Sequence, residues 1–313
     1  MRSEHTLYVV ATPIGHREDL SPRAVETLRA VSRIYAEDTR HSLPLMRHHG
    51  IETRLHALHE HNETVEAERV VEHVRGVGSA ALITDAGTPL ISDPGFRVVR
   101  ACRRAGLRVS PVPGPCAVSA ALSVGGLPTD RFQFVGFPPS RSGARQRWFG
   151  ELAQVPHTLI VYESPHRIVD SLADLAATFG EGREMTLARE LTKRHETLLA
   201  GSVGEVLERV RVDADQRRGE IVLIVAGAAW RGGVASGDVD DDDASVGAPG
   251  AAAGQIGAAE LDRVLLALLD RLPPKAVARC AADICGVARG LAYDRALALR
   301  GRGPGPTPRA GQP

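Results

Sequence analysis

Residues 82–95 read LITDAGTPLISDPG. An apolar run ends at Ile83, and a helical pattern, FRVVRACRRAG, resumes at Phe96. The loop between them holds two Gly, two Pro and two Asp, which makes rigid turns with little side-chain bulk over the main chain. Such a loop suits a ligand that lies against backbone, and the absence of Lys beside it argues against a phosphate.

The same strand, loop and helix order recurs outward in both directions. TLYVVAT (6–12), RIYAED (33–38), RLHAL (54–58), SAALIT (79–84) and LRVSPV (107–112) have strand character. SPRAVETLRAV, NETVEAERVVEHVRG and PGFRVVRACRRAG carry apolar residues at helical spacing, with Ser21, Asn62 and Asp93 as expected N-caps. This alternation predicts an α/β fold whose first sheet is mostly parallel and covered on both faces. A second set follows, with strands RFQFVGF, HTLIVYE, EMTLARELT and GEIVLIVAG and helices near 142–153, 165–179 and 203–211. The expected organisation is an N-terminal α/β domain over 1–116, a second over 117–228, a disordered acidic Gly/Ala linker over 229–258, a small helical domain over 259–300 and a disordered tail over 301–313.

The chain has 313 residues, 43% hydrophobic, with a formal net charge of zero. That zero hides an asymmetry, because residues 229–258 hold five aspartates against one arginine; the remainder carries 37 basic and 33 acidic residues, a net of +4. Between Asp130 and Glu151 there is no acid, while Arg131, Arg141, Arg145 and Arg147 accompany Trp148 and Phe149. Arginines interleaved with aromatics suit a phosphate backbone and stacked bases, and equally a solvated loop entering a helix. No apolar run is long enough to span a bilayer, and LYVVA is too short for a signal peptide, so a cytoplasmic protein is expected. The four cysteines form no paired framework, and HxxHxH at 56–61 lacks a Cys pair, so no metal is expected.

Ligands of parallel α/β sheets sit beyond the carboxyl ends of the strands. Three Gly/Pro loops qualify: 11–19, 85–95 and 112–118. The one GxGxxA match, GVGSAA at 76–81, precedes a strand instead of opening a helix, and no GxxxxGK[ST] occurs. With both phosphate cradles absent, the ligand class is a nucleoside without phosphate, which S-adenosyl-methionine satisfies.

The motifs VATPIGH, AEDTRH (36–41), LHEHNE (58–63), TDAGTPLISDPG, VPGPCA, GLPTDRF (126–132), YESPHR (162–167), ARELTK (188–193) and RRGEIVLIV (217–225) together resemble the small-subunit ribosomal RNA cytidine 2′-O-ribose methyltransferases, a branch of the tetrapyrrole methylase superfamily. Two departures are Thr84 in place of the usual Ser and His16 in place of the usual Asn. The resemblance implies a two-domain homodimer that binds S-adenosyl-methionine in a cleft between its α/β domains and acts on 16S RNA of the small ribosomal subunit. Its cofactor loops map onto Pro13, Gly15, Asp85, Ala86, Gly87, Ile91, Asp93, Pro113 and Ala117.

Methyl transfer to a ribose needs a base within reach of the 2′-hydroxyl and a site that holds the reacting atoms in line. Candidates are Lys193, Glu163, His166, Arg167, Glu190 and Glu196. Lys193 is the first choice for acidifying the hydroxyl or taking its proton, against an exposed salt-bridging lysine. Glu163 and Arg167 read either as a structural ion pair or as direct participants, and His166 equally as a helix cap. Arg40, with Asp38, is expected to organise the cleft and contact RNA beside Arg141, Arg145 and Arg147. A tetrapyrrole methyltransferase and a non-catalytic S-adenosyl-methionine or RNA-binding module remain the alternatives.

Overall fold

The computed structural model describes residues 5–230, 258–269, 272–285 and 287–300. By contact density the chain divides into one unit over residues 1–234 and a second over 235–313.

Five parallel strands, β1 (Thr6–Val10), β2 (Arg33–Ala36), β3 (Leu55–Ala57), β4 (Ala80–Ile83) and β5 (Arg108–Val112), form the first sheet in the order β3-β2-β4-β1-β5. The helices that accompany them are α1 (Pro22–Ala30), α2 (Thr39–His48), α3 (Glu63–Gly76) and α4 (Phe96–Arg104). Period-two alternation sorts the strand residues between two cores. Val10, Ile34, Ala36, Ala81 and Ile83 face one side with Leu28 and Met46, and Leu7, Tyr35, Ala80 and Leu82 face the other with Val70 and Val98. After β1 the chain leaves toward β2, and after β4 it leaves in the opposite direction toward β5. A crevice therefore opens between the loops that follow these two adjacent strands.

The helix α5 (Ala117–Val124) leads into the second sheet, made of β6 (Phe132–Gly136), β7 (Thr158–Glu163), β8 (Glu184–Arg189), β9 (Thr197–Ser202) and β10 (Ile221–Val225), with α6 (Ser142–Leu152), α7 (Ile168–Phe179) and α8 (Val203–Val212). Its order is β6-β7-β10-β8-β9, parallel only at β6 and β7. One face packs on Phe149, Leu172 and Val206. The other packs on Val118 and Ala121 of α5 and on Ile14 from the loop after β1.

Several local expectations change. Ser21 caps α1 by accepting the Ala24 N–H at 3.2 Å, but Asn62 makes no such cap bond and instead accepts the His59 N–H at 2.9 Å. Gly95 stands at the N-terminus of α4 in place of Asp93, and the buried Glu63 carboxylate reaches across from α3 to accept the Gly95 and Arg97 N–H groups at 3.0 and 2.7 Å. A side chain from another helix thus supplies the cap. The strand expected over 184–192 ends at Arg189, because Glu190 and Thr192 take positive φ (51° and 64°) and turn the chain. Trp230, assigned above to the linker, donates its indole N–H to Glu184 at 2.5 Å. Residues 231–257 and the tail 301–313 lie outside the described residues.

In the second unit, α9 (Ala258–Leu269), α10 (Pro274–Cys285) and α11 (Arg289–Arg300) share a core of Leu265, Val277, Ala281 and Ala296. Arg295 on α11 grips Asp262 on α9 through two 2.7 Å bonds. No helix among the described residues is long and apolar enough to cross a membrane.

Arg145, expected to contact RNA, is 2% exposed and pairs with Asp174 at 2.6 Å while donating to the Pro139 and Ser140 carbonyls. It joins α6 to α7 and is closed to a phosphate. Removing one member of a buried pair strands the other, at a cost of about 3 kcal/mol or more. Arg145→Ala should lower the urea unfolding free energy by roughly that amount, whereas Arg141→Ala at the exposed start of α6 should change it by less than ~0.5 kcal/mol. Equal, small effects of the two substitutions would contradict the assignment.

Candidate functional site

The loop after β1 is drawn toward two others. Thr12 and Gly87 exchange backbone hydrogen bonds at 2.9 and 3.0 Å, which ties it to the loop after β4. On its other side, the His16 N–H donates to Thr192 Oγ1 at 3.1 Å, which ties it to the turn after β8. A β-carbon at Gly15 would lie 2.5 Å from Lys193 Cγ and 2.6 Å from Thr192 Oγ1, so only glycine permits this approach. The His16 ring accepts the Glu18 N–H at 3.3 Å and caps a short 3-10 turn at Arg17–Asp19. An Asn amide oxygen would do the same there, so His16 retains the capping bond.

Two cavities flank this junction and share Ile14, Ala86 and Glu220 in their walls. The first, of about 310 Å³, is lined by Gly87, Thr88, Ile91, Asp93, Cys116, Ala117, Phe137, Tyr162 and Val222, among others. Among the described residues no Lys or Arg lines it. Phe137 and Tyr162 form an aromatic corner with ring centroids 5.5 Å apart. Thr88 Oγ1 donates to the Pro115 carbonyl at 2.9 Å, joining two of the Gly/Pro loops. Leu90 and Ser92, both at positive φ (75° and 66°), turn the chain on either side of Ile91, which packs against the second sheet. Burial and then the charges of Glu37 and Asp85 push the Asp93 carboxyl up to about 7, and the nearby Thr84 hydroxyl offsets only part of that.

The second cavity, of about 440 Å³, is more polar: Pro13, Gly15, Arg17, Arg40, His41, Ser42, Thr84, Asp85 and Lys193 line it. The expected cofactor residues therefore divide. Ala86, Gly87, Ile91, Asp93 and Ala117 line the first cavity, Pro13, Gly15 and Asp85 line the second, and Pro113 is exposed and lines neither. Arg40 folds back on Asp38 with bonds of 3.1 and 2.8 Å, which holds the Asp38 carboxyl far below the usual carboxylate range.

Lys193 stands where the cavities meet. Its Nζ donates to Glu190 Oε1 at 3.0 Å and lies 3.1 Å from Glu220 Oε2. Burial acts to lower its pKa, but the Glu190 hydrogen bond and the Glu220 charge outweigh burial and raise it above the ordinary lysine value. Glu190 Oε1 also accepts the Glu220 N–H at 2.9 Å, and a β-carbon at Gly219 would fall 2.3 Å from the Glu190 carboxylate. Glu190 is thus a fixed brace, and Glu220 is the acid facing both cavities. Nothing local in RRGEIVLIV marks Glu220 for this role, since only the insertion of β10 between β7 and β8 brings it beside Lys193.

The other acid and base candidates are otherwise engaged or remote. Glu163 is 2% exposed and accepts from Ser164 N, Arg167 Nη2 and the Ser171 hydroxyl, so three of its roughly four acceptor sites are engaged in structure although it borders the first cavity. Arg167 is its partner and also donates to the Pro138 carbonyl. His166 is exposed and lines neither cavity, and Glu196 caps the turn by accepting the Thr192 N–H at 2.7 Å. Arg141, just before α6, and Arg147 on it are exposed. Among the described residues no group of three or more His, Cys, Asp or Glu side chains is arranged to hold a metal ion.

Residues 6–207 match the family model described as Tetrapyrrole (Corrin/Porphyrin) Methylases, and residues 255–300 match one described as RsmI C-terminal HTH domain. The chain is 47% identical over 300 residues to a Pseudomonas aeruginosa protein named Ribosomal RNA small subunit methyltransferase I, covering 96% of this chain and 99% of that one. It is 45% identical over 299 residues to an Escherichia coli O157:H7 protein of the same name, covering 96% and 97%. Among solved structures, a diphthine synthase aligns with a TM-score of 0.58 at 14% identity over 71% of this chain and 89% of that one. A uroporphyrin-III-C-methyltransferase from Thermus thermophilus aligns with a TM-score of 0.51 at 19% identity over 72% and 95%. At such identities the two structures support the fold alone.

The Asp93 environment sets a pH dependence. A carboxyl raised from 3.8 to about 7 on folding favours the folded state fully below the unfolded value, and this contribution is lost as pH rises from about 4 to about 7. Asp93→Asn should therefore flatten the decline in ligand-free stability over that interval, as followed by chemical unfolding at several pH values. A decline as steep as in the unsubstituted protein would remove Asp93 as its source.

Proposed function

We propose, since the chain belongs to the tetrapyrrole (corrin/porphyrin) methylase family, that it uses S-adenosyl-methionine to methylate the ribose 2′-oxygen of a cytidine in small-subunit ribosomal RNA. The observation that carries this reading is the pair of adjoining cavities, one without basic side chains and one with Arg17, Arg40 and Lys193, meeting at Glu220. The name shared by relatives aligned over nearly their whole length supplies the RNA.

The lining of the first cavity fits the donor. An aromatic corner at Phe137 and Tyr162 suits a purine, Gly87 and Ala117 leave backbone accessible, and Asp93 suits a cationic or hydroxyl-bearing group. When bound, the sulfonium supplies an electrophilic methyl group. The chain's own work is to hold the acceptor in line, keep water out and remove one proton. Lys193, held as an ammonium by two carboxylates, is poorly suited to accept that proton and well suited to stabilise a developing alkoxide. The Glu220 carboxylate, bonded to Lys193 and facing both cavities, takes the hydroxyl proton and passes it to solvent through its exposed side. Lys193 thereby acts by acidifying the hydroxyl.

The expected homodimer belongs to the same proposal and is supported by exposed Phe132 on the edge strand β6. A cytoplasmic location belongs to the same proposal and rests on the ribosomal substrate it names.

Purified protein with labelled S-adenosyl-methionine should transfer label to small-subunit particles, recovered after nuclease digestion as 2′-O-methylcytidine. Label on a base, or on a porphyrinoid instead of RNA, would reject the proposal. Within the reaction, Glu220→Gln and Lys193→Met should each slow single-turnover transfer by about a hundredfold or more while S-adenosylhomocysteine affinity is kept. Lys193→Arg, which keeps the charge, should retain more of the rate than Lys193→Met; an Arg variant as slow as the Met variant would return Lys193 to the role of base.

A further inference from the structure

The second cavity carries a hydrogen-bonding group with nothing to bond. Ser42 lines it from α2, is 4% exposed, and its Oγ has no hydrogen-bond partner. Buried hydroxyls are rarely left so; this one is closed off as it stands, and rotation about its Cα–Cβ bond is what would turn it to a ligand in the cavity. Asp85 lines the same cavity; its Oδ1 accepts the Asp38 N–H at 3.1 Å, and Oδ2 has no protein partner among the described residues. The Ser42 N–H in turn donates to the Asp38 carbonyl at 3.0 Å. Asp38 is therefore bonded to both residues and fixes a carboxylate acceptor and a hydroxyl relative to each other. Arg17 and Arg40 lie in the same lining, and Lys193 with Glu220 closes the side shared with the first cavity. A volume of about 440 Å³ falls in the roughly 300–1,000 Å³ range of single small-molecule sites, too small for a helix of RNA.

We propose that this cavity receives one unstacked pyrimidine nucleotide and that Asp85 and Ser42 select cytosine over uracil there. The inference rests on the reading above that the chain methylates a ribose of RNA. Cytosine presents an amino group, which a carboxylate accepts, next to ring acceptors, to which a hydroxyl donates. Uracil places a carbonyl where cytosine has the amino group, so Asp85 would face oxygen with oxygen. Bases read in this way are splayed out of their stack. The arginines in the lining suit the nucleotide's phosphate, and the ribose is left toward Lys193 and Glu220.

Asp85→Asn gives a signed test. The amide oxygen can still accept the Asp38 N–H, which turns the amide nitrogen, a donor, to where Oδ2 stood. The full-length protein, loaded with S-adenosylhomocysteine, is titrated with cytidine 5′-monophosphate and with uridine 5′-monophosphate. The unsubstituted protein should bind the cytidine nucleotide about tenfold tighter. Asp85→Asn should abolish or invert that preference, and Ser42→Ala should weaken cytidine binding several-fold, with S-adenosylhomocysteine affinity and melting temperature kept in both. Equal affinities in the unsubstituted protein, a preference untouched by Asp85→Asn, or no binding of either nucleotide up to millimolar concentration would overturn the proposal. If Asp85→Asn does not fold, the Ser42→Ala titration decides. A chain that neither binds S-adenosylhomocysteine nor methylates particles would instead sink the methyltransferase reading, which separates the two failures.

Discussion

Gly15 meets the turn at 191–193 with no room for a β-carbon, and the cleft depends on that approach. It lets the loop after β1 press Ile14 into the core against Ile160 and Val222 of the second sheet and Leu191 of that turn. The same loop is held from behind by the Thr12 and Gly87 bridge. One short segment thus locks the carboxyl ends of the first sheet to the face of the second. The space left on either side of it becomes the two cavities.

Charge divides those cavities as sharply as shape does. Where no basic side chain lines the wall, burial and neighbouring carboxylates hold Asp93 near neutrality. Across Ile14, arginines and a braced ammonium offer the opposite field. The boundary between these environments falls at Glu220 and Lys193. The proton leaving the ribose hydroxyl and the negative charge developing on its oxygen both meet fixed groups there, with little reorganisation.

Much of this was legible in the sequence for local reasons. The inner strands of the first sheet, β1, β2 and β4, are short and mostly buried runs, and the Gly/Pro loops mark where main chain must be bare. The missed elements lack such signals. The strand β9 alternates partly buried with exposed residues and contains Gly201 at φ 152°, and α2 carries Pro44 in its interior. Other errors are non-local. Nothing near Arg145 distinguishes it from Arg141, because the Asp174 that buries it lies 29 residues away on another helix. Glu63 as the cap of α4, and Glu220 as the partner of Lys193, depend on contacts across 32 and 27 positions of chain. The division of the cofactor loops between two cavities depends on where Ile14 packs, which no spacing in the sequence encodes.

The most direct test of the account is a crystal structure of the full-length protein with S-adenosylhomocysteine. The account predicts ligand density between Gly87, Ala117 and Val222, with its sulfur toward Glu220 and the Ser42 cavity left open to the acceptor. Density in the cavity of Arg17, Ser42 and Asp85 instead would contradict it.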